Sequence, residues 1–271
     1  RAWFAWLVPE CDRKLLLLPP MVPDDAFRPH SRPWLQNGLR LLYAGKFAPD
    51  WGFVEVVDRV KALREAGMQV TLVVAGDKIH DPPDNPDFAS SVRRALADPV
   101  VDWRGGLSRS AVFDLLDEAD LAVSVRTSAL DDSRELSTKL LEYAAAGVPV
   151  VANRTRAHIE LFGADYPFLV GGFEELPSVL RAAGESPDLL GWASKTVREV
   201  AADYSYAAAA RALERALREA PPAHHRGATV PRLLVAGHDL KFIQPLVEGW
   251  VAEGYDVSID KWAGHNRHDR R

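Results

Sequence analysis

The stretch Ser137-Thr138-Lys139-Leu140-Leu141-Glu142-Tyr143-Ala144-Ala145-Ala146-Gly147-Val148-Pro149-Val150-Val151-Ala152 decides the fold. Two hydroxyl residues favour a helix start, and strong helix formers follow them. Gly147 stops the helix, and residues 148–152 form a short β-branched apolar run. Such a run reads as a strand buried on both faces, which is the habit of a parallel sheet. Working outward, the same alternation repeats. Strand-like runs cover 39–44, 69–75, 100–103, 121–125 and 148–152. Helical patterns lie between them, at 53–66 with Val56, Val57, Val60 and Leu63 on one face, and at 88–97. A third follows Ser108, which can cap it, with Val112, Leu115, Leu116 and Ala119 on its face, and the fourth is 138–146. Short strands alternating with longer helices predict an α/β fold, a Rossmann-like parallel sheet flanked by helices. Ligands of such sheets sit at the carboxyl ends of the strands.

The 271 residues are 47% hydrophobic and 26% charged, which excludes a mainly disordered chain. A formal charge of −5 argues against a nucleic-acid binder. Residues 15–20 are apolar but far short of the roughly 18 residues that cross a bilayer. The single cysteine, Cys11, cannot form an internal disulfide, which fits a cytoplasmic location. Both ends read as cut, with Arg1 at the start, no signal peptide, and a charged run at 268–271. Residues 1–37, rich in proline and tryptophan, read as a connector, and 38–219 as the main domain. Residues 173–219 are mostly helical, with Tyr206, Ala210, Leu213 and Leu217 in one stripe and Glu214 paired with Arg218. Residues 220–229 read as a linker. Residues 230–271 read as the truncated start of a second Rossmann-like domain, because 232–237 echoes 40–45.

Chemistry points to two places. Ser137 and Thr138 open a helix whose first N–H groups lack intrahelical partners, and the helix dipole adds positive charge there. That start suits a phosphate, Lys139 adds a full charge, and Glu142 one turn on can accept from sugar hydroxyls. Gly45-Lys46 ends the first strand and faces the same crevice. The plainer reading is a capped helix with solvated side chains and a surface lysine. The phosphate-cradling Gly-x-x-x-x-Gly-Lys-Ser/Thr and the dinucleotide Gly-x-Gly-x-x-Gly are both absent. His265 and His268 read as a solvated tail, His224-His225 as linker, and His158 as structural. Cys11 has no support as a nucleophile. Asn153-Arg154-Thr155 fits a glycosylation sequon that matters only in a secreted protein.

Several runs occur together in a recognisable order: Leu42-Tyr43-Ala44-Gly45-Lys46-Phe47, Val73-Val74-Ala75-Gly76-Asp77, Trp103-Arg104-Gly105-Gly106-Leu107-Ser108 and Glu118-Ala119-Asp120-Leu121. With the stretch 137–152, they resemble the C-terminal, donor-binding domain of GT-B glycosyltransferases, group 1 (family 4). The resemblance covers about residues 39–219. It implies a nucleotide-diphosphate sugar as donor, transfer to an acceptor with retained anomeric configuration, and no cofactor or metal. By resemblance, Lys46 and Lys139 stabilise the leaving diphosphate, with Gly45, Thr138 and Leu140 shaping its seat. Glu142 matches the ribose-binding glutamate, Glu135 the sugar-contacting one, and Gly106 and Leu107 the turn beside the base. The catalytic base is expected outside this chain. The resemblance also makes 1–37 the last connector of a missing acceptor domain, and 230–271 the opening of another module. Two departures stand out. The family often has Lys-Gly where Trp51-Gly52 stands, and its two glutamates are usually eight positions apart, whereas Glu135 and Glu142 are seven apart with Arg134 at the strict position. These keep two alternatives open, a GT-B-fold nucleotide-sugar epimerase and a non-catalytic nucleotide-sugar binding module.

Overall fold

A computed structural model describes residues 20–28, 32–80, 82–131, 136–219, 232–237, 248, 251–252 and 256–261. Val22–Tyr204 forms one compact unit. Its strands are β1 (Leu39–Ala44), β2 (Val70–Ala75), β3 (Val101–Trp103), β4 (Leu121–Ser124), β5 (Val150–Asn153) and β6 (Leu169–Val170). Its helices are α1 (Phe53–Glu65), α2 (Phe88–Leu96), α3 (Arg109–Leu116), α4 (Thr138–Ala145), α5 (Arg156–Phe162), α6 (Leu176–Glu185) and α7 (Pro187–Ala202). The expected α/β architecture is therefore present. β6 is an addition to the five strands read from sequence, and at two residues it is too short to show a periodicity.

All six strands run parallel, in the order β3-β2-β1-β4-β5-β6. The chain starts in the middle at β1, winds out to β3, then returns to β4 on the other side. The crevice between β1 and β4 at their carboxyl ends is thus the topological switch point, where ligands of such sheets bind. Apolar side chains cover both faces. Leu41, Leu42, Leu72, Leu121 and Ala122 are fully buried in the strands, and Val56, Val60, Leu141, Ala144, Leu180 and Val197 in the helices. α1 presents Val56, Val57, Val60 and Leu63 to this core, as its spacing predicts, together with Phe53.

The opposite, amino-terminal edge is closed by Asp120, a fully buried carboxylate just before β4. Its Oδ1 accepts from Arg32 at 2.7 Å and from the Leu35 amide at 3.1 Å, and its Oδ2 from the Arg40 amide at 2.8 Å. The segment entering the sheet is pinned further by Val22, fully buried, whose amide donates to the Tyr204 carbonyl at 2.8 Å.

The described residues from Ser205 onward belong to a second unit. It holds α8 (Tyr206–Glu219), on which Arg218 lies 3.8 Å from Glu214. It also holds β7 (Arg232–Gly237), paired in parallel with β8 (Asp256–Lys261). Parallel strands need a crossover, and Glu248, Val251 and Ala252 between them are helical. The expected linker 220–229 and His265 and His268 lie outside the described residues. Among the described residues no helix is long and apolar enough to cross a membrane.

Candidate functional site

The site begins where β1 ends. Tyr43 packs in the core against Phe53, with ring centroids 5.0 Å apart, and its hydroxyl donates to the Lys46 carbonyl at 3.1 Å. From α4, the buried Tyr143 hydroxyl donates to the Ala44 carbonyl at 3.2 Å. Burial raises the pKa of both phenols, so they remain donors at neutral pH. Two tyrosines thus hold the Gly45-Lys46 turn from below. A Cβ at Gly45 would meet Lys139 Nζ, the mobile end of that side chain, so the glycine lets the lysine lie close over the turn. Gly106, after β3, is crowded in the same way by the Asp77 carboxylate from the end of β2.

These elements enclose a cleft of about 240 Å³ at the switch point. Gly45, Lys46, Gly106, Leu107, Lys139 and Glu142, all singled out from sequence, line it. Thr138 is half-buried at the start of α4. Leu140 points into the core, and its amide donates to the Ser137 carbonyl at 3.1 Å. Glu135 lies outside the described residues.

The start of α4 differs from its neighbours. Ser108 caps α3 by accepting from the Ala111 amide at 3.2 Å. Thr155 caps α5 through His158 at 3.2 Å, and Ser186 caps α7 through Leu189 at 3.1 Å. Ser137 makes no such bond; its carbonyl takes the Leu140 amide, and its hydroxyl leaves the amides of Thr138 and Lys139 without a side-chain cap. The side-chain cap that the plainer reading of this stretch expects is therefore not formed.

Cations gather beside it. Around the Trp51 ring, Lys139 Nζ lies 4.6 Å from the centroid, Lys46 Nζ 5.1 Å and the Arg126 guanidinium carbon 5.4 Å. No described carboxylate forms an ion pair with any of the three. Burial, with the charges of Arg126 and Lys46, pulls the Lys139 pKa from 10.5 down to about 8, against a smaller pull from Glu142. One turn along α4 the charge is balanced, because Arg109 reaches Glu142 at 2.8 Å and lies 5.7 Å from the Phe113 ring. Burial raises the Glu142 pKa, and Arg109 opposes that rise.

Sequence reasoning missed Arg126, Arg109 and Asp77. Arg126 had a signal, since it is the first charged residue after a buried strand, the same position that marks Lys46. Asp77 had the same signal, following Gly76 at the end of β2 as Lys46 follows Gly45, whereas Arg109 had none, because its role rests on a contact across the fold. His158 is structural, as expected: its Nδ1 lies 2.6 Å from the Asn153 carbonyl oxygen, and burial lowers its pKa. The sequon asparagine Asn153 is buried, with its side chain bonded to the backbone of Arg126, so it is closed to a glycosylating enzyme. Among the described residues no group of three or more His, Cys, Asp or Glu can hold a metal.

Fold and site together define a Rossmann-like domain with a crevice lined by Lys46 and Lys139 at its switch point. The model of the family described as glycosyl transferases group 1 matches residues 38–186. The chain belongs to the group 1 glycosyltransferase family. Solved GT-B glycosyltransferases share the fold. A glycosyltransferase from Rickettsia africae superposes with a TM-score of 0.60 at 15% identity, over 78% of this chain and 58% of its own. Anabaena HepE, solved with UDP and glucose, gives 0.57 at 15% identity, over 73% and 55%. AviGT4, a glycosyltransferase of avilamycin A biosynthesis, gives 0.54 at 21% identity, over 76% and 59%. The chain thus spans less than two thirds of each of these proteins. No curated protein sequence matches it.

Proposed function

We propose that this chain is the donor-binding part of a glycosyltransferase, acting on a nucleotide-diphosphate sugar and an acceptor held by further domains of the same polypeptide. The observation that carries this reading is the convergence of Lys46, Lys139 and the uncovered start of α4 on one cleft at the switch point. The presence of UDP and glucose in HepE, which has the same fold, is consistent with it.

In the proposed reaction the bond from the anomeric carbon to the diphosphate oxygen breaks, and the departing diphosphate gains charge. Lys46, Lys139 and the amides of α4 stabilise that charge electrostatically, a role that a metal ion fills elsewhere. Gly106 and Leu107 sit beside the base, Glu142 takes the ribose hydroxyls, and Glu135 the sugar. Gly45, Thr138 and Leu140 shape the phosphate seat, Gly45 by making room for Lys139. The sugar passes to the acceptor with retained configuration, and no cofactor takes part. The single cysteine supports a cytoplasmic setting.

The direct test is incubation of the full-length polypeptide, with acceptor candidates, against labelled UDP-, GDP- and ADP-sugars. Transfer of label, or slow hydrolysis of one donor, is the expected result. Interconversion of the sugar without release would replace the reading with an epimerase. One observation favours a non-catalytic binding module as the second reading, namely Trp51 in place of the family's lysine. Binding of a donor without turnover in the presence of acceptor would establish it.

A further inference from the structure

The family resemblance leaves the diphosphate seat one cation short, because Trp51 stands where a second lysine is common. A further cation, Arg126, stands beside the cleft on a different element, lining the neighbouring cavity with Asn153 and His158. Lys46 follows β1 and Arg126 follows β4, and these strands are neighbours across the switch point. Their side chains leave adjacent carboxyl ends and meet at one ring.

We propose that Arg126 is the replacement cation of the diphosphate seat, and that Trp51 aligns Lys46, Arg126 and Lys139 to grip a diphosphate in preference to a single phosphate. The proposal rests on reading the cleft as a nucleotide-sugar site.

Three observations support it. First, Arg126 is held at its root: its amide donates to Asn153 Oδ1 at 2.7 Å, and its carbonyl accepts from Asn153 Nδ2 at 2.8 Å. Asn153 also reaches Asp131 Oδ1 at 3.1 Å. The nearby Asp131 carboxylate is therefore engaged, and it forms no ion pair with Arg126. Second, Arg126 and Trp51 are tied through their neighbours, since the Thr127 amide donates to the Asp50 carbonyl at 3.0 Å. The loop after β4 and the turn that carries Trp51 (Pro49–Trp51) are thus fixed together. Third, an indole face attracts cations without neutralising them. It gathers three like charges and leaves them available to an anion. The Arg126 charge repels the Lys139 ammonium and lowers its pKa, in keeping with their shared place at the Trp51 ring.

A lone phosphate offers oxygens on one phosphorus, whereas cations from β1, β4 and α4 approach from three directions. A diphosphate presents oxygens on two. It also gains a charge when the glycosyl bond breaks, which a third cation answers. Arginine is suited to this place because its planar fork pairs with phosphate oxygens two at a time.

Calorimetry on the 271-residue chain, with UDP, GDP and ADP and their monophosphates as probes, tests the proposal. The wild type is expected to bind one diphosphate about tenfold or more tighter than its monophosphate. Arg126→Ala should weaken diphosphate binding by about tenfold or more, the range for a charge-assisted bond, and monophosphate binding by less than about threefold. Arg126→Gln, which keeps the length of the chain, should behave alike. Arg126→Lys, which keeps the charge and leaves Trp51 in place, should retain most of the diphosphate affinity, which a merely structural role for the Arg126 side chain would not require. Circular dichroism checks that each variant is folded. Unchanged diphosphate affinity in both Arg126→Ala and Arg126→Gln, or equal losses for the two nucleotide classes, would overturn the proposal and leave the nucleotide-sugar reading standing. A wild type that binds none of the probes overturns both.

Discussion

The two edges of the central sheet treat charge in opposite ways. At the amino-terminal edge Asp120 is fully buried, and its two oxygens accept three bonds, from Arg32 and from the amides of Leu35 and Arg40. At the carboxyl-terminal edge Lys46, Arg126 and Lys139 crowd one tryptophan, and no described carboxylate forms an ion pair with them, although Glu142 lies close enough to oppose the lowering of the Lys139 pKa. At one edge the buried carboxylate is fully paired and serves the fold. The other carries a desolvated lysine beside like charges, at a cost in stability, and under the proposed function a nucleotide diphosphate would complete it.

The comparison breaks if the two edges respond alike to mutation. The largest effect is expected from Asp120→Ala. It strands Arg32 and two amides, and should cost about 3–5 kcal/mol of unfolding free energy, read by urea denaturation. A loss below about 1 kcal/mol would show that the closed edge is not what holds the entering segment. At the open edge the same kind of deletion should act on binding. Lys46→Ala and Glu142→Ala should each weaken nucleotide-diphosphate affinity by about 1–3 kcal/mol in calorimetry, with little change in stability. Unchanged affinity in both would remove the assigned seat.

A pH series sharpens the contrast. The Lys139 pKa is about 8 in the folded chain and 10.5 when unfolded, so below about 8 both states are protonated and the cost of the buried charge is fully present. Between about 8 and 10.5 the unfolded state binds more protons, and stability rises with pH by this contribution. Lys139→Met should raise the melting temperature at pH 7 and flatten that rise relative to wild type. Nucleotide affinity should move the other way, falling above about pH 8 as the ammonium loses its proton. The smallest effect is expected at two serines. Ser108→Ala loses a cap and should cost about 1 kcal/mol, whereas Ser137→Ala should leave the stability of the free chain within about 0.5 kcal/mol. Equal costs would show that Ser137 caps α4 in solution.

Much of this was legible in the sequence because burial writes simple patterns. β1, β2, β4 and β5 are apolar runs ended by glycine or polar residues, and α1 shows its buried face by spacing alone. β6 left no trace, since two residues carry no period. At the site, Lys46, Lys139 and Glu142 could be found because strand ends and helix starts are marked locally. The pairing of Glu142 with Arg109 could not, because the partner comes from another helix and nothing in either neighbourhood points to it. The tryptophan at 51 read from sequence as a loss. In the structure it is the surface on which three cations assemble, and seeing that required the turn at residues 49–51 and the loop after β4 to be placed side by side.

Trp51 also gives the site an optical voice. An indole with three positive charges within about 6 Å of its ring sits in a strong local field, the range over which a cation and a π face interact. An arriving diphosphate draws those charges toward itself, and the field at the ring changes with occupancy. The emission of this one residue, isolated as the difference between the wild type and Trp51→Phe, should therefore follow nucleotide binding without any added label.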